Sequence, residues 1–173
     1  MCEASIILTG FMGSGKSSVG KVVSSQLGRS FIDLDEEIVK AAGWTINEIF
    51  ARDGEQAFRE IESFQLAKVL SSKNGIVLAT GGGVVISAKN RELMRGSGVV
   101  VCLQVTLEQV MARISDSNDR PLLLADNATK RAETLLNERE HFYADADIRI
   151  DTDRKSVEDV AAEILCHLKG HIT

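Results

Sequence analysis

Lys16 and Ser17 close the run Gly10-Phe11-Met12-Gly13-Ser14-Gly15-Lys16-Ser17, which spells G-x-x-x-x-G-K-S. Glycines at these places let successive backbone N–H groups turn inward around phosphate oxygens, and a helix N-terminus behind them adds positive potential. Gly13, Ser14, Gly15, Lys16, Ser17 and Ser18 are therefore read as a cradle for a nucleoside triphosphate. In such a cradle Lys16 reaches the β- and γ-phosphates and Ser17 can ligate Mg²⁺. A dinucleotide fingerprint would need a third glycine where Ser18 stands, so that reading fails. Carboxylates for the metal and the chemistry come from Asp33 and Asp35, because the runs ending at Thr80 and at Leu103 supply none. Read as the end of a strand, Asp33-Leu34-Asp35 would point both acids to one side of a sheet edge. One acid could then serve Mg²⁺ and the other orient, or take a proton from, an acceptor hydroxyl. Glu55, Arg59 and Glu62 share one helical face by spacing, and alone they read as a surface ion-pair ladder. Gly81, Gly82 and Gly83 in succession are costly in backbone entropy and make sense where the chain must approach a ligand closely.

The elements that must position these residues alternate regularly. Apolar runs at Ser5–Thr9, 31–35, 75–80, 99–103 and Ile148–Asp151 read as strands, several without polar alternation. Such runs belong to parallel strands covered on both faces. Helical stretches follow at Lys16–Leu27, 55–71, 107–115, 129–143 and 156–168. Five βα units in sequence predict an α/β fold with a parallel sheet and right-handed crossovers. Neither an internal repeat nor a linker interrupts them, so a single domain over 1–173 is expected. Trp44 is expected to pack against the core.

Composition limits the partners. The net charge is −5, from 20 Lys and Arg against 25 Asp and Glu. That argues against nucleic acid, whose binding draws on many neutralised phosphates. Cys2, Cys102 and Cys166 show neither disulfide-framework nor zinc spacing, and Cys102 reads as a small buried hydrophobe. No apolar run approaches the roughly 20 residues of a membrane span, and a first strand near Ala4 leaves no room for a signal peptide. A cytoplasmic location without membrane partners is expected.

Taken in order, the motifs resemble the shikimate kinase family. They are the 10–17 loop with Met12-Gly13, Asp33-x-Asp35, Ile49-Phe50, and Gly54-Glu55-x-x-Phe58-Arg59-x-x-Glu62. Gly81-Gly82-Gly83, Arg120-Pro121-Leu122-Leu123 and Glu138-Arg139-x-x-x-Tyr143 complete the series. The resemblance implies a three-layer α/β/α P-loop fold with five parallel strands in the order 2-3-1-4-5 and a mobile lid over 113–127. It implies ATP-dependent phosphorylation of the 3-hydroxyl of shikimate by a monomer, with Mg²⁺ as cofactor. By the same resemblance Ser17 and Asp33 would hold Mg²⁺, and Asp35 would engage the acceptor hydroxyl. Arg59, Arg139 and the backbone of Gly81, Gly82 and Gly83 would hold the substrate carboxylate. Arg120, from the polar stretch 115–120, would reach the ATP phosphates with help from Arg113, while Arg154 and Lys155 would flank the adenine. A planar guanidinium suits a carboxylate better than a point charge does, which agrees with that assignment.

Two other classes compete. A nucleoside monophosphate kinase or another P-loop small-molecule kinase would share the loop and lid, but its acceptor pocket must read a different molecule. A GTPase-like switch would need base-reading and water-positioning motifs that this sequence lacks.

Overall fold

The computed structural model describes residues 4–114 and 127–169. Its five strands are β1 (Ser5–Thr9), β2 (Phe31–Asp33), β3 (Val77–Ala79), β4 (Gly98–Gln104) and β5 (Ile148–Asp151). All pair in parallel in the order β2-β3-β1-β4-β5, with Ile6 beside Val77 on one side of β1 and Val99 on the other. Alternate residues of the central strands feed two cores. Ile6, Leu8, Val101 and Ile150 meet Val19 and Val23 of α1 (Lys16–Leu27) and Val160 and Ile164 of α7 (Val157–Leu168). Ile7, Leu78 and Cys102 face the opposite layer. That layer holds α2 (Leu34–Ala42), α3 (Ile46–Ser72), α4 (Ala88–Ser97), α5 (Leu107–Ile114) and α6 (Ala128–Tyr143). Burial on both sides explains why these strands are apolar without alternation.

The order places β1 between β3 and β4, where the direction of winding reverses. Loops at the carboxyl ends of β1 and β3 therefore lie side by side over the crevice where open α/β sheets bind ligands. Thr80 donates from both its N–H and its hydroxyl to Leu8 O, at 3.1 and 2.9 Å, tying those two strand ends together.

Several elements differ from the sequence expectations. The run 31–35 is not one strand: β2 ends at Asp33, and Leu34 opens α2. Asp33 is the N-cap, its carboxylate accepting from Asp35 N–H, and Asp35, Glu36 and Glu37 fill the first turn. Acids are favoured there by the helix dipole, so capping overrides a strand reading based on Phe31 and Ile32. The stretch 55–71 begins earlier, at a Thr45–Glu48 capping box, and α3 is broken at Gly54, where φ is 83° and ψ 176°. A 3-10 turn (Val84–Ile86) and α4 were not anticipated. Trp44 does not join the core; its ring is half exposed and stacks with the Arg52 guanidinium at 4.2 Å.

Candidate active site

The loop after β1 ends at Gly15, which serves as N-cap of α1 in a left-handed conformation (φ 89°) and offers no side-chain cap. The first amides of α1 are thus left for an anion. Lys16 Nζ donates to Gly10 O at 2.8 Å and Phe11 O at 2.9 Å, and lies 3.3 Å from Ser14 Oγ, holding the loop in shape. Ser17 Oγ donates to Asp33 Oδ2 at 2.5 Å, while Asp33 Oδ1 accepts from Asp35 N–H at 3.0 Å. One carboxylate therefore joins the phosphate loop to the start of α2.

These groups line a cavity of about 410 Å³. Gly13, Ser14, Gly15, Lys16, Ser17, Ser18, Asp33, Asp35, Gly81, Gly82, Arg113 and Lys155, all selected from sequence, are on its wall. Arg113 donates to Gly13 O at 2.7 Å. Lys155 is paired with Glu163 at 2.6 Å, and that hydrogen-bonded partner raises its pKa. Arg154 is not brought to the wall: its side chain is 92% exposed. Its backbone is left-handed, at φ 54°. Thr152, Ser156, Val157 and Val160 are also on the wall and were not selected. Only the return of β5 and α7 beside α1 brings them there. Arg120 and most of the lid expected over 113–127 lie outside the described residues.

A second cavity of about 340 Å³ adjoins the first and shares Asp35, Gly81 and Gly82 with it. Arg59, Gly83 and Arg139 also line it, against apolar walls from Met12, Phe50 and Phe58. Arg59 donates to Glu62 Oε2 at 2.7 Å and to Glu55 Oε1 at 3.3 Å. The face read as a surface ladder is only half a surface, since Glu62 is 1% exposed. Burial raises the Glu62 carboxyl above its ordinary range, with the Arg59 charge and hydrogen bond working against it. Among the described residues Glu62 Oε1 has no hydrogen-bond partner, and a Cβ at Gly81 would fall 2.8 Å from it. Arg139 is 3% exposed, with the Phe11 ring 6.0 Å from its guanidinium carbon. A buried cation on a cavity wall calls for an anion. Cys102 is buried in the core, and desolvation pushes its thiol up to about 11, which makes it no nucleophile.

A phosphate loop at the switch point of a 2-3-1-4-5 parallel sheet, with a carboxylate between it and a cationic second pocket, defines a P-loop phosphotransferase. The family model for shikimate kinase matches residues 12–169. The chain belongs to the shikimate kinase family. It is 52% identical over 165 residues to a shikimate kinase of Geobacter metallireducens, covering 95% of this chain and 92% of that one. The shikimate kinase of Geobacter sulfurreducens is 49% identical over 166 residues, 96% of this chain and 91% of the relative. A solved shikimate kinase from Acinetobacter baumannii in complex with shikimate superimposes with a TM-score of 0.94 at 36% identity, covering 98% and 94% of the two chains.

Proposed function

We propose that this chain transfers the γ-phosphoryl group of ATP to the 3-hydroxyl of shikimate. The observation that carries the reading is the pair of adjoining cavities that meet at Asp35, Gly81 and Gly82. A phosphoryl group bound over the loop needs to cross only that shared wall. The family membership supports the choice of acceptor.

Lys16 and the loop amides bind and orient the phosphates. Leaving Gly10 O and Phe11 O for the γ-phosphate is a short movement for a flexible lysine. Ser17 and Asp33 together present hard oxygen donors, the set that Mg²⁺ takes alongside substrate phosphates and water. When bound there, the ion neutralises phosphate charge as transfer proceeds. Arg59 and Arg139 hold the acceptor carboxylate, and the apolar wall receives the ring. Asp35 aligns the hydroxyl on the γ-phosphorus and takes its proton as the new P–O bond forms and ADP departs. Little covalent work is asked of the protein, since positioning and charge dominate phosphoryl transfer. Arg113 braces the loop through Gly13 O, and Lys155 flanks the nucleotide; the parts given to Arg120 and Arg154 rest on the family resemblance alone. Residues 1–173 are read as one kinase domain, working as a monomer in the cytoplasm on small molecules. Among the described residues no helix is long and apolar enough to cross a membrane.

The test is ADP release from Mg·ATP with shikimate, quinate, gluconate or AMP as acceptor. Release that depends on shikimate alone is the expected result. Equal release with AMP would overturn the acceptor and point to a nucleotide kinase.

A further inference from the structure

Tyr143 is the one tyrosine in the chain, near the end of α6 and 3% exposed. A buried phenol must place its O–H on an acceptor, and this one donates to Gly82 O at 2.6 Å. Arg139, one turn earlier on α6, shares that helix face and lines the same acceptor cavity as Gly82. The hydroxyl thus ties the glycine run to the helix that carries the buried guanidinium of the acceptor cavity. The peptide plane that carries Gly82 C=O also carries Gly83 N–H, so holding one fixes the direction of the other. The flanking carbonyls Gly81 O and Gly83 O accept from Val84 N–H and Ile86 N–H, and the tyrosine hydroxyl holds the one between them.

The surroundings make the contact a rigid one. Arg91 on α4 donates to Val85 O at 2.6 Å and Ile86 O at 3.1 Å, in the turn that follows the glycine run. The same guanidinium lies 4.6 Å from the Phe142 ring and pairs with Asp145 at 3.3 Å. Both sides of the α6 terminus are therefore pinned against the segment that begins at Gly81.

We propose that Tyr143 is a positioning residue for acceptor binding: its hydroxyl locks the Gly82–Gly83 peptide and Arg139 into one carboxylate-receiving arrangement. The proposal rests on the shikimate reading above. It assigns the residue to the acceptor half of the site, with no contact to ATP and no part in the transfer step.

The experiment is steady-state kinetics of Tyr143→Phe, Arg139→Lys and the double variant, with shikimate and ATP varied separately. Tyr143→Phe keeps the ring and removes only the hydroxyl. It should raise KM for shikimate roughly tenfold, the size of one hydrogen bond lost with its buried partner stranded. kcat and KM for ATP should stay within about twofold, because the hydroxyl touches neither. In the Arg139→Lys background the same change should add little, since both act on one clamp. A shift shared equally by shikimate, ATP and kcat, or full additivity with Arg139→Lys, would overturn the proposal. Because the chain has a single tyrosine, 3-fluorotyrosine marks this site alone in an otherwise unaltered protein, whether or not the Phe variant folds. Its fluorine resonance should move on adding shikimate and stay put on adding ADP; the reverse pattern would also overturn the assignment. A wild-type enzyme that releases no ADP in response to shikimate would instead bring down the functional reading, and this one with it.

Discussion

Asp35 stands where the two cavities meet, and its replacement is the sharpest test at the scale of a single residue. Asp35→Asn should lower kcat by about 10²-fold or more, the range for losing a proton acceptor that also orients the nucleophile. Nucleotide affinity, measured by equilibrium titration with ADP, should change little, because the contacts of Lys16 with Gly10 O and of Ser17 with Asp33 are left in place. Gly83 offers a second residue-scale test. A Cβ there would fall 2.3–2.4 Å from the guanidinium atoms of Arg59. Gly83→Ala must therefore shift the Arg59 guanidinium from its place in the acceptor cavity. KM for shikimate should rise several-fold while KM for ATP holds, and an unchanged shikimate KM would show that Arg59 does not bind the acceptor. Glu62 shows how a single residue can be misread: spacing puts it in an ion-pair ladder, but only the packed structure shows it buried beneath Arg59.

At the scale of elements, the site depends on how helices begin and bend. Asp33 does two jobs, capping α2 through Asp35 N–H and accepting from Ser17. Asp33→Ala should cost about 1 kcal/mol of stability as a lost cap, read by denaturant unfolding. Its Mg²⁺ requirement in turnover assays should rise as well, because an oxygen donor leaves the metal's surroundings. Gly54 breaks α3 at a backbone conformation reserved for glycine, and so sets the angle between the segment bearing Phe50 and the one bearing Arg59. Gly54→Ala should destabilise the fold by roughly 1–3 kcal/mol, and a variant as stable as wild type would show that the bend is not needed. Of these element features, the Gly54 motif was visible in sequence as part of the family resemblance. The strand end was misplaced because short apolar runs such as Phe31-Ile32 fit a strand until the turn that ends them is known.

For the whole molecule, the buried phenol supplies a global reporter. Desolvation raises the pKa of Tyr143 well above its ordinary value, with the Arg139 charge only partly offsetting it. A group whose folded pKa exceeds the unfolded one leaves stability intact below about pH 10 and erodes it as pH rises above that value. Since the chain has one tyrosine, phenolate absorbance should appear only together with unfolding in an alkaline titration. Absorbance that rises near pH 10 with the fold intact would mean that the hydroxyl is open to water. The scale of the whole molecule also separates what was legible early from what was not. The phosphate loop, the glycine run and the βα alternation were readable because each is local: glycine spacing and apolar runs act over a few neighbouring residues. The sequence by itself determined the phosphate chemistry, the parallel sheet and, through the order of its motifs, the family. Only the tertiary structure decided that Asp33 and Asp35 meet across a cap rather than along a strand, that Arg154 turns outward, and that Tyr143 closes on Gly82. The cap is a local contact that competes with an equally local strand pattern, whereas the Tyr143–Gly82 bond joins residues 61 positions apart, which burial and hydrogen-bond satisfaction select and no local pattern encodes.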